Sequence, residues 1–430
     1  MGSKKFFYGW WVLGALFLIW AYISGVVSFG FTSAFKPIAD EFRWSYARVS
    51  IAASIRGLEI GLLAPLVGLL LDRIGPRKLI FTGALITGSG LIFLSRIHSL
   101  LAFYGAFAVI AVGTSTSIGV LPVTVIGYWF HKRVSLATGI VVCGSAAGGL
   151  LVPIITIVID TFGWRTAMVV FGAATWLILS SLAIIVRHSP ERYGLFPDGE
   201  ACGNAVEGHG LARLAQNNYK DVSVWQALKT RAFWHLQTGF ICHVFAIHAV
   251  LTHAMPYLSS IGISRATGSI AAGAIPVMSV AGRLSFGWFG DRQDKRRITA
   301  IGIGLIAISL FGFGFLDRSG AWLLALFVVL FSIGYGGPVP MMPALLREYF
   351  GKSHLGSIVG FSQGLAMIGS ITGQPLAGFV FDTYGQYQTA WIAFAAVNVF
   401  GALSVLSAPK STDQIRSSES ALSNDIRAAS

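Results

Sequence analysis

The stretch Gly68-Leu-Leu-Leu-Asp72-Arg73 decides the fold, because it returns later in the chain as Gly287-Trp-Phe-Gly-Asp291-Arg292. A second stretch, Phe130-His-Lys132, returns at a similar offset of about 220 residues as Phe350-Gly-Lys352. The chain therefore contains two copies of one unit. In a strongly apolar chain, such duplication is typical of membrane transporters, which place their binding site between the two copies.

The composition excludes a water-soluble globule. Of the 430 residues, 54% are hydrophobic and only 11% are charged, whereas soluble domains carry about a quarter charged residues. Continuous apolar runs, each long enough for a helix of roughly 20 residues to cross a bilayer, exclude a β-barrel. We predict an all-α integral membrane protein with twelve transmembrane helices. Their predicted limits are 8–33, 46–71, 78–95, 101–125, 134–159, 165–187, 232–259, 267–290, 297–315, 321–347, 354–380 and 386–408.

A polar segment divides the twelve predicted helices into two halves of six. We predict an N-terminal six-helix bundle over residues 1–187 and a cytoplasmic linker over 188–231. A C-terminal six-helix bundle follows over 232–408, and a disordered cytoplasmic tail over 409–430. Because the repeat offset contains an even number of helices, both halves cross the membrane in the same sense.

The net charge of +13 is explained by orientation in the membrane. If the N-terminus is cytoplasmic, 22 of the 31 Lys and Arg lie in cytoplasmic segments and 7 lie outside, while Arg56 and Arg283 lie within helices. This is a positive-inside bias, so we expect both termini in the cytoplasm and the protein in the plasma (inner) membrane. The surplus requires no nucleic-acid partner.

Arg283 is the first candidate for substrate binding. It lies eight residues before Asp291, about 12 Å along a helix axis, and therefore near the bilayer midplane. An arginine there costs roughly 2.5–3.5 kcal/mol to insert and needs a water-filled cavity or a partner. Its guanidinium can hold a carboxylate through two parallel hydrogen bonds. The alternative is a permanent ion pair with another helix, although Glu59 is the only acidic residue inside a predicted helix.

Other side chains at a suitable depth are predicted to line the same cavity. Aromatic walls with few polar groups suit a small organic acid. Ordinary helix packing is the alternative for each of these side chains. The candidates are Tyr335, Phe361, Gln363, Phe29 and His253.

The candidates for proton coupling are Glu59 and three histidines of the seventh helix, His243, His248 and His253. Histidine titrates near physiological pH. A spacing of five residues turns a helix by about 140°, so at most two of the three can face one cavity. No metal site is predicted, because no His-Glu-x-x-His motif is present. Two alternatives remain open: hydrogen bonds of the histidines between helices, and pairing of Glu59 with Arg56 one turn before it.

Two charged clusters follow the second and eighth helices at their cytoplasmic ends. We predict that they form ion pairs between helices and hold the cytoplasmic side closed, as a gate. An acid occupies the same place in each half, which favours a gate over simple determinants of topology. The gate residues are Asp72, Arg73, Arg77, Asp291 and Arg292.

The two Gly-x-x-x-Asp-Arg stretches and the six-plus-six layout resemble the major facilitator superfamily over nearly the whole chain. Within it, Tyr8-Gly9-Trp10-Trp11, Tyr128-Trp129-Phe130 and Gly163-Trp164-Arg165 resemble the monocarboxylate transporter and oxalate–formate antiporter families. The resemblance implies alternating access between two halves and a substrate-binding arginine at the position of Arg283. The aspartate that the animal lactate carriers place one turn before this arginine is Ser279 here, so their proton-handling residues do not transfer.

One deeply placed cation matches one carboxylate. The eleventh helix, from Gly356 to Val380, contains no Lys or Arg, whereas the resemblance to oxalate–formate antiporters implies a lysine there. We therefore expect a proton-coupled symporter of a small monocarboxylate such as L-lactate, working as a monomer in the lipid bilayer. A carboxylate anion exchanger of the oxalate–formate type is the alternative.

No cofactor, nucleotide or enzymatic activity is expected. Gly351-Lys352-Ser353 imitates the end of a phosphate-binding loop, but Leu346 stands where that motif needs glycine.

Overall fold

A computed structural model describes residues 7–44, 46–193, 198, 222–316 and 321–409. Within these ranges, the side chains of residues 32, 36, 46, 47, 50–60, 192, 265, 266, 269 and 321 are not described. The predictions for the side chains of Arg56 and Glu59, for most of the linker 188–231 and for nearly all of the tail 409–430 therefore lie outside the described residues.

Twelve long helices, numbered spans 1 to 12 in chain order, confirm the predicted fold class. Eleven are long and apolar enough to cross a membrane, and span 2, with 29 residues, is also long enough. In the N-terminal half, the helical segments are Gly9–Ile23, Ser24–Phe29 and Gly30–Phe42 (span 1), Tyr46–Ile74 (span 2), Pro76–Leu94 (span 3), Leu100–Ser115 and Val120–Trp129 (span 4), Val134–Ala147, Gly148–Leu151 and Val152–Phe162 (span 5), and Trp164–Ile185 (span 6). In the C-terminal half, they are Arg231–Ser260 (span 7), Arg265–Gly290 (span 8), Lys295–Gly314 (span 9), Ala321–Gly336 and Pro338–Phe350 (span 10), Leu355–Tyr384 (span 11), and Gln388–Leu406 (span 12). Short helices Glu191–Tyr193 and Val224–Leu228 lie in the linker.

Polar residues between the apolar runs set several of the helix limits. The side chains of Ser99, Thr230 and Asp294 each accept a hydrogen bond from a backbone N–H in the first turn of the helix that follows. Such caps satisfy N–H groups that have no partner within the helix. Span 1 is longer than predicted, because the less apolar segment Gly30–Phe42 continues the helix until Arg43 adopts a left-handed conformation (φ 54°).

The two halves meet along two helix pairs, span 2 with span 11 and span 5 with span 8. Glycines permit the close approach. A Cβ added to Gly68 would lie 2.2 Å from the carbonyl oxygen of Gly356, and one added to Gly139 would lie 2.6 Å from that of Arg283. Small residues at such contacts let membrane helices approach through their backbones.

One end of the molecule, called the terminal face below, carries both ends of the described chain. The rings of Phe7 and Phe130 lie 5.5 Å apart, and the Tyr349 hydroxyl donates to the carbonyl of Pro409 at 2.7 Å. The two halves are joined at this face, where Arg347 of span 10 donates to the carbonyl of Phe130 at the end of span 4.

The opposite end, called the far face, is arranged differently. The outer segments Gly30–Phe42 and Val152–Phe162 pack mainly against helices of their own half. The halves therefore lie together at the terminal face and diverge toward the far face.

Candidate functional site

Four helices are interrupted near their middles. Span 1 passes through the π-helical turn Ser24–Phe29, and span 5 through the 3-10 turn Gly148–Leu151. These two turns pack against each other. Span 4 stops at Ser115 and resumes at Val120, and span 10 breaks at Gly337. Interrupted membrane helices expose backbone groups and are a frequent marker of transporter binding sites.

The breaks in spans 4 and 10 have the same local cause. Gly119 adopts φ 74°, which favours glycine, and Pro122 follows it. In span 10, Gly337 is followed directly by Pro338 and then by Pro340. Proline lacks a backbone N–H and cannot complete the hydrogen-bond ladder of the preceding turn. The repeat thus places one interruption at the same point of each half.

Arg283 lies in the interface between the two halves, and its side chain is almost fully buried, with 6% exposed. Its Nη1 donates to the carbonyl of Val142 at 3.1 Å and to the hydroxyl of Ser145 at 2.9 Å, both in span 5 of the opposite half. Its Cζ lies 5.8 Å from the ring centroid of Tyr335. In the described part of the chain, the buried Nε has no hydrogen-bond partner. The guanidinium therefore retains donor capacity.

The partners found for Arg283 are neutral. Ion pairs among the described side chains join Arg165 to Glu41, Lys295 to Glu348, Arg296 to Asp294 and Lys352 to Glu191. None of these pairs includes Arg283. Within the described side chains, the alternative of a permanent ion pair finds no support.

Of the other predicted cavity residues, Tyr335, Phe29 and Gln363 lie beside Arg283 or beside a helix interruption, whereas Phe361 packs against the linker. Tyr335 lies beside the guanidinium, and Phe29, with 38% exposed, ends the π-helical turn of span 1. The Oε1 of Gln363 approaches the break of span 4. Phe361 instead packs its ring 6.3 Å from that of Trp225 in the linker. No described contact joins Phe361 to Arg283, so the structure brings only Tyr335 directly to it.

The three histidines of span 7 all bridge to other helices of the C-terminal half. His243 is buried, and its Nε2 lies 3.0 Å from the carbonyl of Gly334. The Nδ1 of His248 lies 3.3 Å from the side-chain amide of Gln374. This agrees with the alternative that the histidines connect helices.

His253 has a partner at each ring nitrogen. Its Nε2 lies 3.0 Å from the carbonyl of Gln374, and its Nδ1 lies 3.1 Å from the hydroxyl of Tyr387. In neutral imidazole, Nε2–H donates to the carbonyl, and Nδ1 accepts from the phenol. In the protonated form, Nδ1–H donates to the phenol oxygen instead. The ring can therefore gain a proton with both partners in place.

The gate acids do not form the predicted ion pairs in the described residues. Asp72 of span 2 accepts from the backbone N–H groups of Gly356 (3.1 Å) and Ser357 (2.8 Å), and from the Ser357 hydroxyl (2.5 Å). The Tyr128 hydroxyl also donates to it at 2.9 Å. Asp72 thus caps the start of span 11, where free N–H groups and the helix dipole favour a negative charge.

Asp291, the counterpart of Asp72 in the repeat, caps a helix of the opposite half in the same way. It accepts from the backbone N–H groups of Ser135 (2.8 Å) and Leu136 (3.0 Å) at the start of span 5. Burial raises the pKa of Asp291 above 3.8, although these hydrogen bonds lower it.

The predicted gate arginines have other contacts. Arg77 donates to the carbonyls of Ala183 and Ile184 at the end of span 6. The guanidinium of Arg292 stacks 3.6 Å from the centroid of the Trp288 ring, and Arg73 is exposed. The prediction of inter-helix ion pairs is therefore corrected: the carboxylates bind backbone N–H groups of the other half, because a helix start carries its own partial positive charge.

The linker adds a contact that sequence reasoning missed. Asp198 accepts from the backbone N–H groups of His131 and Lys132, the loop between spans 4 and 5, at 3.0 and 2.7 Å. Glu191 pairs with Lys352 at 3.4 Å in the corresponding loop of the second half. Two linker acids thus hold both copies of the repeated loop motif.

His131 lies among positive charges at this face. Partial burial, then Arg347, Lys352 and Lys295, lower its pKa below 6.5, while Asp198 raises it. The neutral imidazole is therefore favoured when the halves are joined. The neutral imidazole of His131 contributes to the stability of the joined state above pH 6.5, and this contribution is lost as the pH falls through the lowered pKa.

The motif Gly163-Trp164-Arg165 has a structural role in the N-terminal half. Trp164 Nε1 and Arg165 Nη2 donate to the carboxylate of Glu41 at 2.6 and 2.8 Å. Arg165 also donates to the carbonyls of Ser95 and Ile97. The motif joins the far-face ends of spans 1, 3 and 6, away from Arg283.

Sequence reasoning also missed the span 5 partners of Arg283. Val142 contributes only its carbonyl and Ser145 a common small side chain, and the Cys143 thiol between them lies beside the guanidinium. The signal that the sequence carries here is the run of small residues Gly139, Gly144, Gly148 and Gly149 in span 5, which is typical of close helix packing.

Sequence comparisons identify the family. The model described as Major Facilitator Superfamily matches residues 17–319 and 250–425. The chain is 24% identical over 387 residues to the uncharacterized MFS-type transporter YcxA of Bacillus subtilis (strain 168), covering 86% of this chain and 88% of that protein. It is 23% identical over 412 residues to Monocarboxylate transporter 12 of Mus musculus, covering 92% and 84%. It is 24% identical over 390 residues to the oxalate:formate antiporter of Oxalobacter formigenes, covering 90% and 88%.

Solved structures share the fold. A proton:xylose symporter superposes with a TM-score of 0.68 at 16% identity, covering 94% of this chain and 96% of that one. The fucose:proton symporter of E. coli superposes with a TM-score of 0.66 at 14% identity, covering 93% and 98%. With the family model spanning most of the sequence and twelve helices in two matched halves, the chain belongs to the major facilitator superfamily of multi-pass membrane transporters.

Proposed function

We propose that this transporter carries a small monocarboxylate such as L-lactate, and that Arg283 binds the carboxylate. The observation that supports this proposal is a buried guanidinium with neutral partners and an unpartnered Nε. Two parallel hydrogen bonds from Nε–H and one Nη2–H hold the carboxylate, whose charge neutralises the guanidinium. The similarity to a monocarboxylate transporter and to an oxalate:formate antiporter fits an organic anion.

Arg283 lies where binding and conformational change can be coupled. Its own backbone belongs to the C-terminal half, while both hydrogen-bond acceptors belong to the N-terminal half. A carboxylate bound at the unpartnered Nε draws the guanidinium away from these two acceptors, which weakens a contact between the halves. Rocking of the halves about this point then exposes the site alternately on the two sides of the membrane. The positive-inside bias of the sequence supports the proposal that the terminal face lies on the cytoplasmic side of the plasma membrane.

A proton accompanies the carboxylate in this proposal, and His253 is the side chain proposed to carry it. His253 is half-buried toward the far face, and both of its partners can serve either protonation state. His243 is less suited, because it is fully enclosed and tied to a backbone carbonyl. Symport of one proton with one monocarboxylate moves no net charge, which lowers the cost of crossing the bilayer.

An anion exchanger of the oxalate–formate type is the second candidate, supported by the similarity to such an antiporter. Against a dianion, no Lys or Arg lies along span 11 from Leu355 to Tyr384. An exchanger requires substrate inside the vesicle and is indifferent to a proton gradient.

Uptake of labelled L-lactate into proteoliposomes tests the proposal, with and without an inward acid gradient. Symport predicts uptake that rises with the gradient into vesicles that contain no substrate. Uptake that requires internal carboxylate and ignores the gradient supports exchange instead. Unlabelled pyruvate, acetate, formate and oxalate serve as competitors to define the substrate.

Three variants test the site. Arg283→Gln removes the cation, and we expect uptake to fall roughly 100-fold, because breaking a buried hydrogen-bonded charge pair costs about 2–5 kcal/mol. Arg283→Lys keeps the charge but loses the planar fork and should recover little. Arg96→Gln, an exposed arginine, is the matched control for the loss of one charge. Normal uptake by Arg283→Gln would refute the assignment.

A further inference from the structure

A cavity of about 340 Å³ lies at the terminal face, remote from Arg283. It is open to the surface and is bordered by the start of span 7, the end of span 12 and the residues that follow the linker helix Val224–Leu228. Its lining combines cations, hydroxyl groups and aromatic rings. The lining residues are Lys229, Thr230, Arg231, Trp234, His235, Thr238, Phe400 and Ser404.

The cavity is positively charged. Lys229 and Arg231 are exposed at its mouth, and no acidic residue lines it. His235 forms its wall, with Nδ1 3.4 Å from the hydroxyl of Ser404. Span 7, a helix of 30 residues, begins here and directs the positive end of its dipole to the same place. Three basic side chains and a helix start together suit a phosphate group.

The aromatic residues distinguish a lipid phosphate from a soluble one. Trp234 and Phe400 are 47% and 63% exposed, and Trp225 of the linker helix is 70% exposed. The indole N–H of Trp234 is fixed by a hydrogen bond to the carbonyl of Leu228 at 2.8 Å. Exposed Trp at the end of a membrane helix marks the headgroup level of the bilayer. The cavity therefore opens where phospholipid headgroups lie, with the apolar Phe400 on span 12 below it.

We propose that this cavity binds the phosphate of an anionic phospholipid, with Lys229 and Arg231 as its principal cations and His235 as a hydrogen-bond donor. An acyl chain then lies along Phe400. Basic pockets between membrane helices at the bilayer surface are suited to anionic headgroups. The site uses none of the residues proposed to bind the transported substrate.

Native mass spectrometry of the full chain, titrated with phosphatidylglycerol or phosphatidylcholine, tests the site. Each cation near an anionic headgroup contributes about fivefold, so Lys229→Gln/Arg231→Gln should lose roughly 25-fold in affinity for phosphatidylglycerol. Lys78→Gln/Arg297→Gln removes the same charge from exposed positions of the same face and is the matched control. Thr238→Leu narrows the cavity without changing its charge and should also weaken binding.

Selective loss of phosphatidylglycerol in the pocket variants, with the control unchanged, supports the proposal. Equal loss in both double variants would show general surface attraction and overturn it. Equal binding of phosphatidylcholine would overturn the requirement for an anionic lipid. Inorganic phosphate at millimolar concentration should not displace the lipid. Displacement would identify a soluble anion as the ligand instead.

Discussion

Removing the carboxylate of Asp72 should separate the two halves at the terminal face. Asp72 receives two backbone N–H groups and one hydroxyl from the start of span 11. A hydrogen bond to a charged group contributes about 1.5–3 kcal/mol, and loss of a helix N-cap costs about 0.5–2 kcal/mol. Water replaces part of these bonds when the halves part, so we expect Asp72→Ala to disfavour the joined state by about 2–4 kcal/mol. That corresponds to a population ratio changed roughly 30- to 1000-fold.

Pulsed electron spin resonance measures this directly. Spin labels on cysteines at positions 78 and 297, in a background without the three native cysteines, report the separation of the halves at the terminal face. We expect Asp72→Ala and Asp291→Ala each to shift the distance distribution toward longer values, and the double variant to shift it further.

Asp294→Ala is the matched control, because Asp294 binds Arg296 within its own half and has no partner across the interface among the described residues. Its distance distribution should stay as in the parent. If both Asp72→Ala and Asp291→Ala also leave the distribution unchanged, the reasoning that these caps join the halves is refuted.

Three further variants test the packing at Gly139, the pKa of His131 and the hydrogen bond between Tyr387 and His253. Gly139→Ala should lower the melting temperature by several degrees, because its Cβ meets backbone 2.6 Å away and overpacking costs about 1–3 kcal/mol. Gly149→Ala is the control and should change the melting temperature little, because its Cβ meets open space. Equal melting temperatures of the two variants would contradict the packing argument. Lowering the pH from 7.5 to 5.5 should lengthen the spin-label distances in the parent, since the pKa of His131 is lowered in the joined state. His131→Gln should abolish this pH dependence. If the variant keeps the pH response, a group other than His131 causes it. Tyr387→Phe keeps the ring but removes the hydroxyl at Nδ1 of His253. It should therefore weaken the response of lactate uptake to the acid gradient and leave counterflow intact. An unchanged response to the gradient would exclude this hydroxyl from proton coupling.

The sequence sufficed for the membrane helices, because they follow from the length of apolar runs, and the depth of Arg283 in the bilayer stays a prediction from the fixed helical rise. The sequence did not predict the capping role of Asp72 and Asp291. Their partners are backbone N–H groups, which every residue except proline carries and which no residue pattern marks. Pairing with arginine was the expectation because only side chains are visible in a sequence.

The helix interruptions also differ in whether residues that break helices mark them in the sequence. Gly337-Pro338 and Gly119 with Pro122 break spans 10 and 4, although the predicted helices 321–347 and 101–125 ran through these residues. The π-helical turn Ser24–Phe29 of span 1 carries no such residue signal. It is defined by packing against Gly148–Leu151 of span 5, a contact between helices that sequence periodicity does not contain.

The reciprocal caps have an evolutionary consequence. Each aspartate completes a helix that belongs to the opposite half, so the starts of spans 5 and 11 each depend on the other bundle. Two identical six-helix proteins paired about a two-fold axis form both contacts from a single aspartate, as any isologous interface does. Fusion of two such genes preserves that exchange, and each half then constrains the residues that the other can change.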